Sequence, residues 1–203
     1  MEELIPLFSK PVFLKNIDFN LKQTLSTIEK IEFEESNPKI ESDKSYASND
    51  KYILEHKELK TLKTILTKEL NLYVKNHMHY VNNFEITTSW LTKIDQGADS
   101  VLHNHNNSML SGVLYLKVNK KSGRIRFESF ADARYLPQIS KYTVFNSLDY
   151  YFEPSDKLLL IFPSEMFHQV EQNKSNITRY SLAFNAIPKG LVGDRTTDSH
   201  LYV

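Results

Sequence analysis

The sequence predicts an α+β fold: a double-stranded β-helix, or jelly roll, with N-terminal helices packed on one of its sheets. Three observations lead to this prediction. Apolar residues recur at helical spacing in the first third of the chain, short β-rich segments follow after about residue 82, and turn signals such as KKSG and EPSD separate those segments. Helices followed by a run of antiparallel strands are typical of the α+β class.

The N-terminal part, residues 1–82, is expected to supply one strand and the supporting helices. IPLFSKPVFLK alternates apolar residues and contains prolines, which is typical of an edge strand. NIDFNLKQTLSTIEKIEF has apolar residues at helical spacing, and ESNPKIESDKSYASND has the composition of a loop. Residues 52–77 carry the strongest apolar stripe, and such a stripe normally packs on a sheet.

Residues 83–188 are expected to form the β-helix core. The predicted strands are FEITTSWLTKI, MLSGVLYLKV, RIRFESF, YTVFN, KLLLIF and RYSLAFNAI, with HQVEQ as a further strand-like segment. Residues 189–203 are predicted to be an extended or loosely ordered tail. The three parts together make a single domain, residues 1–203, which is long enough to bury a sizeable core.

Composition narrows the function classes. The 25 basic and 25 acidic side chains cancel, which argues against nucleic-acid and membrane-surface partners. There is no cysteine, so any metal must be held by His, Asp, Glu or backbone oxygen. Neither a signal peptide nor a run of about 18 apolar residues occurs, so a cytoplasmic location is expected, or the host cytoplasm if the protein is phage-encoded. An oligomer is neither indicated nor excluded.

Histidines are scarce, with seven in the chain, yet two of them stand one residue apart in HNHNNS. Each histidine alone has an ordinary structural interpretation. His103 and His105 at positions i and i+2 of a rigid turn can nevertheless aim at one ion, and neutral imidazole is the commonest ligand for borderline divalent metals. His168 follows the buried strand KLLLIFP and fits the need for a third group from a different strand. The pattern predicts a metal site with open coordination positions.

An arginine near the C-terminal end of the core predicts an anion site. Strand alternation in RYSLAFN puts Arg179, Ser181 and Ala183 on one face. A guanidinium on the inner face of an apolar strand is costly unless it meets an anion. A carboxylate is the natural partner, because guanidinium grips it through two parallel hydrogen bonds.

The combination of a His-x-His turn, a distal histidine and an inward Arg-x-Ser resembles the 2-oxoglutarate/Fe(II)-dependent oxygenase superfamily. Members of that superfamily carry His-x-Asp/Glu, a distal His and an Arg on a double-stranded β-helix. HNHNNSMLSGVLYL, SGRIRFE, KLLLIFPSEMFHQVEQ and TRYSLAFN are similar to the segments of a prolyl-hydroxylase-like group of bacteria and tailed phages. The resemblance covers roughly residues 84–188, more than half of the chain.

The resemblance implies a role for each matching residue. His103 and His168 would be iron ligands, and Arg179 would bind the distal carboxylate of 2-oxoglutarate. Tyr115 and Ser181 would be supporting hydrogen-bond donors.

Position 105 departs from the family pattern, because histidine stands where the family has a carboxylate. Three interpretations remain open. His105 is the third metal ligand of a neutral three-histidine site, or it supports two protein ligands and a water. In the third interpretation, His105 is the first ligand and His103 supports it.

The implied activity is that of a non-haem Fe(II), 2-oxoglutarate-dependent dioxygenase. The expected reaction is a hydroxylation, in which O2 oxidises an unidentified substrate and 2-oxoglutarate becomes succinate and CO2, with ascorbate as an optional reductant. Two alternatives belong to other classes. One is a catalytically silent β-sandwich binding or accessory protein, which the missing acid at position 105 favours. The other is a cupin-like three-histidine metal enzyme without 2-oxoglutarate, against which Arg179 counts.

Overall fold

The computed structural model describes residues 2–129, 137–193 and 198–203 of the chain. Its helices are α1 (Leu21–Ile28) and α2 (Lys60–Asn76), and two single 3₁₀ turns, Ile53–Glu55 and Lys57–Leu59, lead into α2. Its strands are β1 (Phe13–Asn16), β2 (Phe33–Glu35), β3 (Tyr46–Ser48), β4 (Phe84–Ile94), β5 (Leu110–Lys117), β6 (Ile125–Glu128), β7 (Asp149–Phe152), β8 (Leu158–Pro163), β9 (Phe167–Val170), β10 (Arg179–Pro188), β11 (Leu191–Val192) and β12 (Leu201–Tyr202). None of the described helices is long and apolar enough to cross a membrane.

The strands form two principal sheets. The large sheet has seven strands in the order β1-β8-β5-β10-β4-β3-β2, and the small sheet has three in the order β7-β6-β9. Neighbouring strands within these sheets run antiparallel. The chain is therefore built mostly from antiparallel sheets with few helices, as the sequence predicts.

The two faces of the large sheet differ in chemistry. Its outward face shares one hydrophobic cluster with both helices, which supply Ile28 from α1 and Leu66 from α2 against Leu182 and Phe184 of β10. Packing on this face is tight: a Cβ added at Gly112 would lie 2.1 Å from Cζ of Phe184. The inward face turns toward the small sheet and carries the polar residues that concern function.

Two predicted segments differ from the structure. The segment expected to be a loop after residue 35 contains β3, which pairs with β2 and with β4 and so extends the large sheet. The predicted strand YTVFN is wrong, because residues 142–146 lie in a turn region and the strand, β7, begins at Asp149. Aromatic and β-branched composition favours a strand only where a partner strand is available to pair with it.

The two ends of the chain are less regular than its core. The predicted N-terminal edge strand is present as β1, although it is confined to Phe13–Asn16 and pairs with β8. The long helix begins at Lys60, later than the predicted residue 52, because the 3₁₀ turns precede it. In the predicted tail, β11 and β12 pair as a short ladder, and residues 194–197 lie outside the described residues.

Candidate metal and anion site

Three predicted histidines converge at one end of the two sheets. The backbone N–H of His103 donates to the carbonyl of His168 at 3.0 Å, and the N–H of His168 donates back at 2.8 Å. His105, two residues further along the turn, donates its N–H to the carbonyl of Ser164 at 3.0 Å. One ring nitrogen from each histidine lies within 4.8 Å of the other two.

Backbone carbonyls orient two of these rings. Nδ1 of His103 lies 2.9 Å from the carbonyl oxygen of Val101, and Nδ1 of His168 lies 2.9 Å from that of Met166. A carbonyl oxygen only accepts hydrogen bonds, so Nδ1 carries the proton in both rings and Nε2 keeps its lone pair. This is the usual way in which a ligand histidine is prepared for a metal.

The spacing of the third ring suits a shared ion. Nε2 of His105 lies 3.3 Å from Nε2 of His168. Two nitrogens that each lie about 2.1 Å from one ion, at tetrahedral or octahedral angles, are roughly 3.0–3.4 Å apart. The same separation admits one N–H···N hydrogen bond when His105 carries its proton on Nε2.

The surroundings favour the neutral form of two of the three rings. Burial, reinforced by the neighbouring His103, lowers the pKa of His168 to about 3 and that of His105 to about 4. Aromatic rings cover the cluster: Trp90 has its ring centroid 5.4 Å from that of His105, and Phe162 lies 4.9 Å from His168. Among the described residues no Asp or Glu joins the three histidines, so the cluster contains no negatively charged side chain.

A serine network lies behind the turn, and sequence reasoning missed it. The Oγ of Ser164 bonds to that of Ser108 at 2.9 Å and to that of Ser111 at 2.8 Å, and Ser111 donates to Asn185 Oδ1 at 2.8 Å. Ser164 also accepts the backbone N–H of His105, so the network fixes the strand end that holds the turn. Serines are common in turns and beside strand ends, and nothing in the sequence marks these three as partners.

Arg179, the residue predicted to bind an anion, has a buried guanidinium with unpaired donors. Arg179 is 1% exposed, and its Nη1 donates to the carbonyls of Gly123 at 2.7 Å and Ser122 at 3.3 Å. Its guanidinium lies 4.9 Å from the ring centroid of Tyr115. Within the described part of the chain, Nε and Nη2 of Arg179 and the hydroxyl of Tyr115 have no hydrogen-bond partner. Each unpaired buried group costs about 1–3 kcal/mol, which indicates a ligand that accepts these bonds.

The sequence predicts Arg179 as a site residue but does not predict the backbone carbonyls that bind its guanidinium. The carbonyls of Ser122 and Gly123 belong to the KKSG turn, which the sequence marks as a turn and not as a functional element. A Cβ at Gly123 would lie 2.0 Å from the carbonyl oxygen of Glu171, and the φ of Gly123 is +82°. Only glycine fits this position without a backbone shift.

The remaining predicted residues share the same inward face. Ser181 lies two positions from Arg179 on β10 and pairs in register with Tyr115 on β5. Further along β10, Ala183 pairs with Trp90, whose ring contacts His105. The face therefore runs continuously from the arginine to the histidine cluster. Burial lowers the pKa of Arg179 and raises that of Tyr115, which makes an anionic partner for this pair still more favourable.

The segment that carries the predicted site residues matches a known protein family. Residues 88–185, which include every predicted site residue, match the family described as "Putative 2OG-Fe(II) oxygenase". Residues 88–185 belong to the 2OG-Fe(II) oxygenase family. Iron(II) and 2-oxoglutarate are the metal and cosubstrate of this family, which also uses O2 and a substrate, so the predicted family and both cofactors are confirmed.

Solved structures of 2OG-Fe(II) oxygenases have a similar fold. A Pseudomonas putida prolyl-4-hydroxylase is 15% identical, with a TM-score of 0.61 over 91% of this chain and 96% of its own. HygX from Streptomyces hygroscopicus, solved with nickel, 2-oxoglutarate and hygromycin B, is 11% identical, with a TM-score of 0.61 over 88% and 83%. A Trichoplax adhaerens prolyl hydroxylase bound to a hypoxia inducible factor peptide fragment is 13% identical, with a TM-score of 0.60 over 87% and 83%. No curated protein matches the sequence.

Proposed function

We propose that this oxygenase binds iron(II) through His103, His105 and His168 and hydroxylates its substrate at that centre. The unpaired Nε and Nη2 of the buried Arg179 carry the proposal. These two neighbouring nitrogens form the side of a guanidinium that grips a carboxylate through parallel bonds. The binding partner is the distal carboxylate of 2-oxoglutarate.

The histidine cluster supports His105 as the third ligand. Its Nε2 lies 3.3 Å from that of His168, although the family places a carboxylate at this position. A neutral ligand set leaves the full charge of the ion to be balanced by 2-oxoglutarate. Loss of the negative ligand is expected to weaken retention of the free ion, and cosubstrate binding compensates.

The chain's own residues bind, orient and exclude water. Arg179 orients the carboxylate, the hydroxyl of Tyr115 donates a further bond, and Ser181 lies beside both as a third donor. Met166 holds the Nδ1 proton of His168 and so keeps Nε2 free for the ion. When bound, iron and 2-oxoglutarate supply the activation of O2, with conversion of the cosubstrate to succinate and CO2.

Iron binding and cosubstrate turnover test the proposal separately. Protein loaded anaerobically with Fe(II) is assayed for bound iron, for 2-oxoglutarate affinity, and, after admission of air, for CO2 from labelled 2-oxoglutarate. We expect one iron for each chain and CO2 release even without substrate. Failure to bind 2-oxoglutarate in the presence of iron, together with no CO2, contradicts the proposal. Metal-dependent oxygenation without 2-oxoglutarate would instead favour the cupin-like class.

Substitutions at position 105 test whether His105 is a metal ligand. We expect His105→Ala to lower iron affinity about tenfold or more, and His105→Asp, which restores a carboxylate, to keep or raise it. His79→Asn is the matched control, because it removes an exposed imidazole at a positive φ that asparagine accepts. Wild-type iron affinity in His105→Ala would show that this histidine is not a ligand.

A further inference from the structure

A cavity next to the histidine cluster is the place for a substrate. It has a volume of 720 Å³, within the usual range of about 300–1,000 Å³ for ligand sites. Asn104, between the two turn histidines, lines it, as do Met166 and Phe127. Phe127 places its ring centroid 5.7 Å from that of His168.

A second cavity continues the first along the surface. It has a volume of 440 Å³ and shares Ser147, Asp149 and Tyr150 with the larger one. The two cavities form one depression, here called the β7 groove, that runs along strand β7. A compact small molecule fills one cavity, whereas an extended ligand occupies both.

The strand beside the groove, β7, lies at the edge of the small sheet. β7 pairs with β6 on one side, and no described strand pairs with its other side. Such an edge presents backbone N–H and C=O groups, and an extended polypeptide can add to it as a further strand. Tyr150, which lies on β7, lines both cavities.

Apolar side chains project around the rim of the groove. Tyr142, which lines the smaller cavity, is 72% exposed, and Phe8, which lines the larger one, is 99% exposed. Val144 and Phe145, which follow Tyr142 closely in the chain, are 70% and 57% exposed. Scattered exposed apolar residues are ordinary, but a group gathered around one groove marks an interaction surface. The exposed rim extends the contact area beyond what a small ligand covers.

Charge in the groove favours a cation. Among the described residues, the larger cavity is lined by the carboxylates of Glu128, Asp149 and Glu165 and by one cation, Lys10. Arg126 contacts Glu128 at 3.2 Å and Asp149 at 2.9 Å, so it serves two acids. Lys10 pairs with Glu165 at 3.3 Å, but both side chains are more than half exposed and such a pair contributes little. A basic ligand group can replace Lys10, whereas a phosphate backbone is repelled.

We propose that the substrate is an extended basic polypeptide segment that lies in the β7 groove. An apolar side chain of that segment enters the larger cavity beside the histidines, and flanking Lys or Arg side chains contact Glu165 and Asp149. This inference rests on the proposed function, since it places the target residue next to the proposed iron centre.

Peptide binding tests the inference independently of turnover. The probe is a fluorescein-labelled peptide with Phe-Leu at its centre and two Lys residues on each side. One matched peptide has Glu for every Lys, and another has Gly-Gly for Phe-Leu. Fluorescence anisotropy is measured on anaerobic protein loaded with Fe(II) and 2-oxoglutarate. We expect the basic Phe-Leu peptide to bind about tenfold or more tightly than either matched peptide.

Variants of the groove locate the binding site. Glu165→Gln is expected to weaken binding of the basic peptide about threefold, and Tyr150→Ala about tenfold. Glu55→Gln is the matched control, because Glu55 is an exposed glutamate that pairs with a lysine outside the groove. Thermal melts check that each variant is folded.

The inference is overturned by equal or tighter binding of the acidic peptide, by equal binding of phenethylamine as a small cation, or by tighter binding of a single-stranded oligonucleotide. No binding of any peptide to protein that holds 2-oxoglutarate also overturns it and leaves the proposed function intact. Absence of 2-oxoglutarate binding itself contradicts the proposed function. The two failures are therefore distinguishable.

Discussion

Two arginines next to the same turn, Arg124 and Arg179, differ in whether the chain itself supplies a carboxylate partner. Arg124 lies at the surface and donates through Nε and Nη2 to both carboxylate oxygens of Glu171, at 2.7 and 2.8 Å. Arg179 lies in the interior, where Nη1 binds the carbonyl of Gly123, the residue before Arg124. Its Nε and Nη2 have no partner among the described residues.

Stability alone would favour a carboxylate partner for the buried arginine over one for the exposed arginine. A carboxylate on a buried guanidinium interacts more strongly than one at the surface, because the interior screens charge less. Among the described residues, the chain nevertheless supplies its own acid to the exposed arginine and none to the buried one. A buried donor pair without an acceptor costs stability, so its persistence indicates a ligand that fills it.

The largest expected effect comes from replacement of the buried arginine, which should separate a role in stability from a role in binding 2-oxoglutarate. Arg179→Met nearly keeps the side-chain volume and removes the unpaired donors together with the bonds from Nη1 to Ser122 and Gly123. These effects oppose each other, so we expect only a small change in thermal stability. Affinity for 2-oxoglutarate should fall about 100-fold or more, since a bidentate charge-assisted pair is lost. Isothermal titration and thermal melts measure the two quantities. A large loss of stability with cosubstrate affinity unchanged would mean that the arginine is structural.

The turn that holds Arg179 can be strained without touching either guanidinium. Gly123→Ala places a Cβ on the carbonyl of Glu171, and we expect a loss of about 2 kcal/mol in the free energy of unfolding, with weaker 2-oxoglutarate binding. Gly97→Ala is a close control, because Gly97 has the same φ of +82° and open space around its Cβ position. It should lose about 1 kcal/mol and keep cosubstrate affinity. Equal losses in urea unfolding would show that the contact with Glu171 is unimportant.

Loss of the Tyr115 hydroxyl should lower the affinity for 2-oxoglutarate, as loss of Arg179 does, but by a smaller factor. Tyr115→Phe removes one buried group that has no partner, so stability should hold or rise by up to about 1 kcal/mol. The affinity for 2-oxoglutarate should fall about fivefold to tenfold, the usual contribution of one hydrogen bond. A double substitution with Arg179→Met tests coupling. If the hydroxyl and the guanidinium bind the same carboxylate, the two affinity losses will not add.

Much of this arrangement is readable from the sequence, because it rests on strand alternation. The period of two in RYSLAFN places Arg179 and Ser181 inward, and the structure has both buried on one face. The histidines of HNH and the distal His168 are predicted from residue type and spacing, and the structure brings them together.

What the sequence does not show depends on pairing and on backbone atoms. The three-residue strand β3 is too short to carry a period, so its segment resembles a loop. The carbonyls that hold Arg179 exist in every residue, and only the fold selects those of Ser122 and Gly123. Whether a buried donor has a partner is likewise a property of the folded chain, so the unfilled side of Arg179 is visible only in the structure.

The smallest expected effect on stability concerns Arg124, the arginine that already has a carboxylate partner. The hydrogen bonds from Arg124 hold the pKa of Glu171 below its ordinary value of 4.5, and the nearby positive charges add to this effect. The folded pKa is therefore lower than the unfolded one, so the pair stabilises the protein above pH 4.5 and loses that contribution as pH falls through the folded pKa. Because the side chains are 40% and 34% exposed, the contribution is less than about 1 kcal/mol.

Urea unfolding of the wild type and of Glu171→Gln, each with and without Fe(II) and 2-oxoglutarate, measures this contribution. The difference between the two proteins should shrink between neutral pH and pH 4, whereas Glu153→Gln, which removes an exposed acid 3.9 Å from Arg124 without a hydrogen bond, should show little change. At neutral pH, the ligands should stabilise both proteins equally, because Arg124 already has its carboxylate and the proposed function assigns the cosubstrate carboxylate to Arg179. Ligand stabilisation that depends on Glu171 would instead mean that the two arginines share one site.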